Sequence, residues 1–124
     1  MSFIELVQEA DRRWKALTDG DMPWIRVGTA LCGKAAGCDD VLRALELSLR
    51  RQGIAAQVSE VGCLGPCFAE PLVDVKLPGG PRIIYRNVTP ETAEEIIASH
   101  IVQGTPVAHQ ALGFLGEDIV DGIP

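Results

Sequence analysis

The sequence predicts an α/β domain in which one mixed sheet of about four strands is flanked by helices. Apolar residues recur at helical spacing in three segments, and short segments rich in β-branched residues lie between them. The predicted order of elements is α-β-α-β-β-β-α, a βαβ unit followed by a hairpin and a closing helix. A chain of 124 residues with 47% apolar side chains can form one modest core.

The helices are predicted from their caps as well as from periodicity. The first helix, residues 2–18, opens with a capping box formed by Ser2 and Glu5. The second helix, residues 39–52, starts with two acidic residues and is followed by a glycine, which suits the two ends of the helix dipole and the C-terminal cap. The third helix, residues 89–100, opens with a threonine cap and a proline at its first position.

Four strands are predicted between these helices: residues 24–27, 54–61, 73–77 and 82–85. The first two flank a helix, so they should be parallel, with a right-handed crossover. The last two are separated by a Pro-Gly-Gly-Pro turn, which predicts an antiparallel hairpin. This arrangement is typical of a thioredoxin-like α/β sandwich.

Two parts of the chain differ in composition. Residues 1–101 contain all the periodic segments and are predicted to form the thioredoxin-like domain with its N-terminal helix. Residues 102–124 are rich in glycine and proline and carry apolar residues at no clear period. We predict that this second part is a linker towards a further module.

Charge and hydropathy exclude several classes of function. A net charge of −6 argues against a nucleic-acid partner, which would need a basic surface. No stretch approaches the roughly 20 apolar residues that cross a bilayer, so direct membrane insertion is not expected. The N-terminus lacks the basic and apolar regions of a secretory signal. We therefore expect a cytoplasmic protein, in which structural disulfides are rare.

Four cysteines are arranged as two pairs, each in a glycine-rich loop that follows a strand of the βαβ unit. The spacing is C-x5-C, then 24 residues, then C-x3-C, and the predicted loops are residues 30–38 and 62–67. The carboxyl ends of neighbouring parallel strands meet at one edge of a sheet, so the four thiolates can converge. Four thiolates are the ligand set of a 2Fe–2S cluster. The predicted ligands are Cys32, Cys38, Cys63 and Cys67.

The residues around the cysteines favour an anionic cluster. Glycines in both loops allow backbone N–H groups to approach the sulfur atoms, and such hydrogen bonds tune a cluster's potential. The helix that starts beside Cys38 adds positive potential there. Lys34 is the one basic side chain in either loop.

Other interpretations of the cysteines remain open from spacing alone. Structural zinc also takes four cysteines, although its ligands are usually separated by two to four residues. Cys63 and Cys67 could form a redox dithiol, but the thioredoxin type uses C-x2-C. Two disulfides or four buried free thiols are the remaining alternatives.

Several motifs together resemble a known family. They are Val27-Gly28-Thr29, Cys32 to Gly37, Gly62 to Cys67, Glu70 to Val73, and Asn87 to Glu91. In combination they resemble the amino-terminal thioredoxin-like ferredoxin domain of NADH-binding flavoprotein subunits. Such subunits occur in NADH:quinone oxidoreductase (complex I) and in related NAD(P)-linked hydrogenases. The chain is also similar to the separate small 2Fe–2S subunit of these complexes, whose first pair is C-x4-C.

The resemblance implies electron transfer through a 2Fe–2S cluster as part of an NADH dehydrogenase (quinone) flavoprotein subunit. In the family this domain precedes an FMN- and NADH-binding module, so residues 102–124 would lead into that module. The partners would be that module and other subunits of the complex. The complex would be cytoplasmic or peripheral to the inner face of the membrane. The flavin and NADH motifs are absent here, so this chain alone would be a carrier. The alternative is a non-redox docking domain whose cysteines are free or bind zinc.

Overall fold

The structure of the chain is a computed structural model that describes residues 2–63, 65–116, 120 and 122–124. Within these ranges, Cys67 is described by its backbone alone. Its helices are α1 (Phe3–Thr18), α2 (Leu31–Ala36), α3 (Cys38–Gln52) and α4 (Pro90–Ile96). Its strands are β1 (Trp24–Gly28), β2 (Gln57–Val61), β3 (Val73–Lys76), β4 (Arg82–Tyr85) and β5 (Ala111–Leu115). The sheet order is β2-β1-β3-β4-β5; the β1–β2 pair is parallel, and the β1–β3, β3–β4 and β4–β5 pairs are antiparallel. No described helix is both long and apolar enough to cross a membrane.

The apolar core lies between the sheet and the pair α3 and α4. Alternate residues of β1, β3 and β4 face this side, and α3 contributes Val41, Leu45 and Leu49 at helical spacing. The parallel crossover through α3 therefore follows the predicted βαβ unit, and the predicted α/β sandwich is confirmed.

The opposite face of the sheet carries a paired polar cluster. The buried Asp74 carboxylate accepts hydrogen bonds from Arg26 Nε at 2.9 and 3.0 Å and from the guanidinium of Arg82. Arg82 also stacks on Trp24, with its Cζ 4.5 Å from the ring centroid. Trp14 of α1 contacts Trp24 edge-on, with the two ring centroids 6.0 Å apart. A buried charge on this face is thus compensated by two cations.

A second buried polar group lies where α4 continues as a π-helix, Ile97–Val102. The Tyr85 hydroxyl accepts a hydrogen bond from Val107 N–H at 3.1 Å and lies 2.8 Å from His100 Nδ1. Its own proton is therefore available to His100. Burial lowers the pKa of His100 to about 4 and raises the pKa of Tyr85 to about 12. Both side chains are neutral at neutral pH.

The prediction for residues 102–124 is wrong in part. Ala111–Leu115 forms β5, which pairs antiparallel with β4, and Ile123 is buried in the core. This segment is therefore part of the domain. Gly113 interrupts the alternation of apolar and polar residues that identifies a strand in a sequence. The strand is therefore recognised from its pairing with β4, whose other edge would be free without it. Residues 117–119 and 121 of the predicted linker lie outside the described part of the chain. Whether a further module follows stays a prediction.

Candidate metal centre

The two cysteine loops begin side by side at one edge of the sheet. Gly28 and Val61 are the last paired residues of β1 and β2. One residue further, Thr29 N–H still donates to the Val61 carbonyl at 2.9 Å. We call residues 29–38 and 62–69 the cysteine edge. The predicted adjacency of the loops is confirmed by this parallel pairing.

The first loop is not the open loop that we predicted, because Leu31–Ala36 forms the short helix α2. Gly33 allows this helix to lie on the end of β1: a Cβ at Gly33 would be 2.3 Å from the Gly28 carbonyl oxygen. The helix ends at Gly37, whose φ of +98° is left-handed. Tertiary contact therefore stabilises a helix that the glycine-rich sequence disfavours. Cys32 lies on the exposed side of α2.

Cys38 is fully buried, unlike Cys32 and Cys63. It is the first residue of α3 and lies on the inner face with Val41 and Leu45. Burial raises the pKa of its thiol, and the negative charge of Asp39 adds to this increase. The charge of Lys34 lowers this pKa, and the charges of Glu70 and Glu60 raise it further. Cys38 therefore belongs to the cysteine edge by position and packs into the core.

Lys34 is engaged in an ion pair within the first loop. Its Nζ lies 3.0 Å from Asp39 Oδ1, and this hydrogen bond, together with the charge of Asp39, raises the pKa of Lys34. The pair is exposed to solvent and therefore weak. Its cation lies at the cysteine edge, as the sequence predicted.

The second loop presents a sulfur atom to a backbone donor. Cys63 is exposed, and Gly65 N–H donates to its Sγ at 3.3 Å. Gly65 adopts φ +111°, which a residue with a side chain would rarely adopt. Cys67 opens a 3-10 turn, Cys67–Ala69, but its side chain lies outside the described residues.

The donor set matches the chemistry of an iron–sulfur cluster. Thiols are present on both loops, and one already receives the N–H···S contact that such clusters use. In the described part of the chain, no three His, Cys, Asp or Glu side chains converge closely enough to hold a metal ion. The Cys67 side chain is not among these described residues. The geometry thus brings the loops together, and the four-cysteine ligand set stays a prediction.

Sequence reasoning missed the buried carboxylate of Glu70 at this edge. Glu70 is only 7% exposed, and Leu72 N–H donates to its Oε2 at 2.9 Å. A Cβ at Gly28 would lie 3.3 Å from Oε1, and one at Gly33 would lie 3.4 Å from Oε2. The available signal was an acidic residue directly before the apolar run that leads into β3.

The fold is that of thioredoxin-like ferredoxins. One solved structure similar to this chain is the wild-type thioredoxin-like [2Fe-2S] ferredoxin from Aquifex aeolicus, with a TM-score of 0.65 and 21% identity. The alignment covers 75% of this chain and 98% of that one. A second structure of a thioredoxin-like [2Fe-2S] ferredoxin from the same organism has a TM-score of 0.66 and 20% identity, and the alignment covers 79% of this chain and 96% of that one. These matches confirm the thioredoxin-like ferredoxin fold.

Sequence comparison finds a relative in a hydrogenase. The chain is 29% identical over 84 residues to the NADP-reducing hydrogenase subunit HndB of Solidesulfovibrio fructosivorans. The alignment covers 67% of each chain. No family model matches the sequence. The relative agrees with the NAD(P)-linked hydrogenase part of the resemblance and not with complex I in particular.

Proposed function

We propose that this chain carries single electrons through a 2Fe–2S cluster held by Cys32, Cys38, Cys63 and Cys67. The observation that supports this most strongly is the parallel pairing of β1 and β2, which brings both cysteine loops to one edge. When bound, the cluster would accept one electron and release it again. The protein would supply the thiolates, the Gly65 N–H donor and the amino-terminal end of α3 beside Cys38.

The cysteine edge also offers a surface for a redox partner. Leu31 and Phe68 are adjacent in sequence to Cys32 and Cys67, and their side chains are 85% and 82% exposed. Exposed apolar side chains of this kind often mark contact sites between proteins. A partner that contacts them would lie next to the cluster ligands.

The partners that we propose are an FMN- and NADH-binding module and other subunits of an NAD(P)-linked hydrogenase. The support is the similarity to a subunit named for an NADP-reducing hydrogenase. An NADH:quinone oxidoreductase is the second candidate, supported by the motifs around Cys32 and Cys63. We propose a cytoplasmic location, because cluster thiols need a reducing compartment.

Iron and labile sulfide analysis of anaerobically purified or reconstituted protein tests this function, together with its visible spectrum. We expect a coloured protein with iron and sulfide in equal amounts. Zinc in their place would instead support the docking-domain alternative. A colourless protein without iron after reconstitution would contradict the proposal. Phe68→Ala is the matched control, since it alters the same loop without removing a thiol.

A further inference from the structure

Glu70 is a buried carboxylate without a cationic partner among the described residues. Its one hydrogen bond there comes from Leu72 N–H, and no described Lys, Arg or His forms an ion pair with it. Asp74 is buried to a similar degree but is contacted by two guanidinium groups. The fold thus compensates one buried carboxylate and leaves the other uncompensated.

The charge of Glu70 is not required by the hydrogen bond that it makes. A neutral glutamine has the same shape and could accept the same bond from Leu72 N–H. An isolated buried charge is costly for a protein, so neutralising it should stabilise the fold. Groups retained at a cost to stability are concentrated at functional sites.

The position of Glu70 suggests what the charge acts on. A Cβ added at Gly28, where β1 ends, would lie 3.3 Å from its Oε1, and one added at Gly33, which follows Cys32 in α2, would lie 3.4 Å from its Oε2. The carboxylate therefore lies directly behind the cysteine edge, in a part of the molecule that solvent screens poorly.

We propose that the negative charge of buried Glu70 lowers the reduction potential of the cluster at the cysteine edge. This inference rests on the proposed function. Reduction adds one electron to the cluster and forms or breaks no bond at Glu70. The fixed negative charge repels the added electron, so the oxidised form is favoured.

Redox titration of reconstituted wild-type, Glu70→Gln and Glu60→Gln protein tests this inference. Glu60 is the matched control, because it is an exposed carboxylate on β2, two residues before the second loop of the cysteine edge. We expect Glu70→Gln to favour the reduced form at least tenfold, which is about 59 mV for one electron. Glu60→Gln should shift the potential much less, because water and salt screen its charge. An equal shift in the two variants would overturn the inference.

Thermal melting of the cluster-free proteins gives a second readout that a structural role would move in the opposite direction. We expect Glu70→Gln to melt at a higher temperature than wild type. A lower melting temperature would mean that the carboxylate supports the fold, and the inference would be overturned. Loss of the cluster from Glu70→Gln alone would also overturn it, since Glu70 would then build the site. A wild-type protein without iron would instead contradict the proposed function itself, and the inference with it.

Discussion

The cysteine edge treats buried polar groups differently from the centre of the domain, by which we mean the Asp74 cluster and the Tyr85–His100 pair. At the centre, Asp74 has two arginine partners, and the Tyr85 hydroxyl is bonded on both sides. At the edge, Glu70 has a single backbone donor, and Cys38 is a buried thiol next to an acidic residue. Apolar Leu31 and Phe68 project into solvent there.

This difference indicates which region serves stability and which serves function. Buried polar groups that are fully satisfied fix a single packing arrangement. Uncompensated charge and exposed apolar side chains are costs that a fold tolerates where something binds. Substitutions at the centre should therefore change stability, and those at the edge should change cluster binding or the reduction potential of the cluster.

The largest effect is expected from Cys63→Ala, which should abolish cluster binding completely. Its thiol is exposed and contributes little to the core, so the fold should survive. Iron content and far-UV circular dichroism measure the two properties separately. Unfolding of Cys63→Ala would mean that the edge is structural, as at a zinc site, and the distinction between the two regions would fail.

Cys38→Ala tests whether a buried thiol belongs to the edge or to the core. If it is the fourth ligand, the variant should lose the cluster, and the cluster-free protein should lose about 1 kcal/mol of stability from the small cavity. The measurements are iron content and urea unfolding. A variant that keeps the full cluster would remove Cys38 from the ligand set.

Asp74→Asn should destabilise the fold by about 3–5 kcal/mol, because it leaves two arginines around a neutral side chain. Urea unfolding of the cluster-free protein measures this loss, and the exposed Asp40→Asn serves as the control. The change in the stability of the cluster-free protein should have the opposite sign to the change caused by Glu70→Gln. Two buried carboxylates with the same response would contradict the comparison.

Low pH should destabilise the fold through protonation of buried His100. Its pKa is about 4 in the folded chain and about 6.5 in the unfolded chain, so the unfolded chain binds the extra proton between these values. The stability that depends on neutral His100 should be fully present above pH about 6.5. The free energy of unfolding should fall by up to about 3 kcal/mol as the pH decreases towards 4. His100→Gln should flatten this dependence, whereas exposed His109→Gln should retain it. Urea unfolding across this pH range measures both.

Local sequence signals predicted most of the fold. The caps and periodicity gave α1, α3 and α4, and the βαβ unit and the hairpin followed from β-branched runs and a turn. The missed elements, α2 and β5, each contain a glycine and depend on tertiary contact, α2 with the end of β1 and β5 with β4. Local propensity cannot predict such contacts.

The candidate site was predicted less completely than the fold. The loops meet as expected, but the sequence did not reveal that Cys38 is buried. A signal was present, since Cys38 lies three residues before Val41 and seven before Leu45, on one face of α3. The uncompensated Glu70 could not be predicted, because it depends on the packing of α2 over the end of β1.

The most direct test of the account is the electron paramagnetic resonance spectrum of the reconstituted protein after reduction with dithionite. A 2Fe–2S cluster at the cysteine edge predicts the signal of a single unpaired electron, integrating to about one spin per chain. The same signal should be absent from Cys63→Ala and present in Phe68→Ala. A reconstituted wild-type protein without this signal would contradict the central claim.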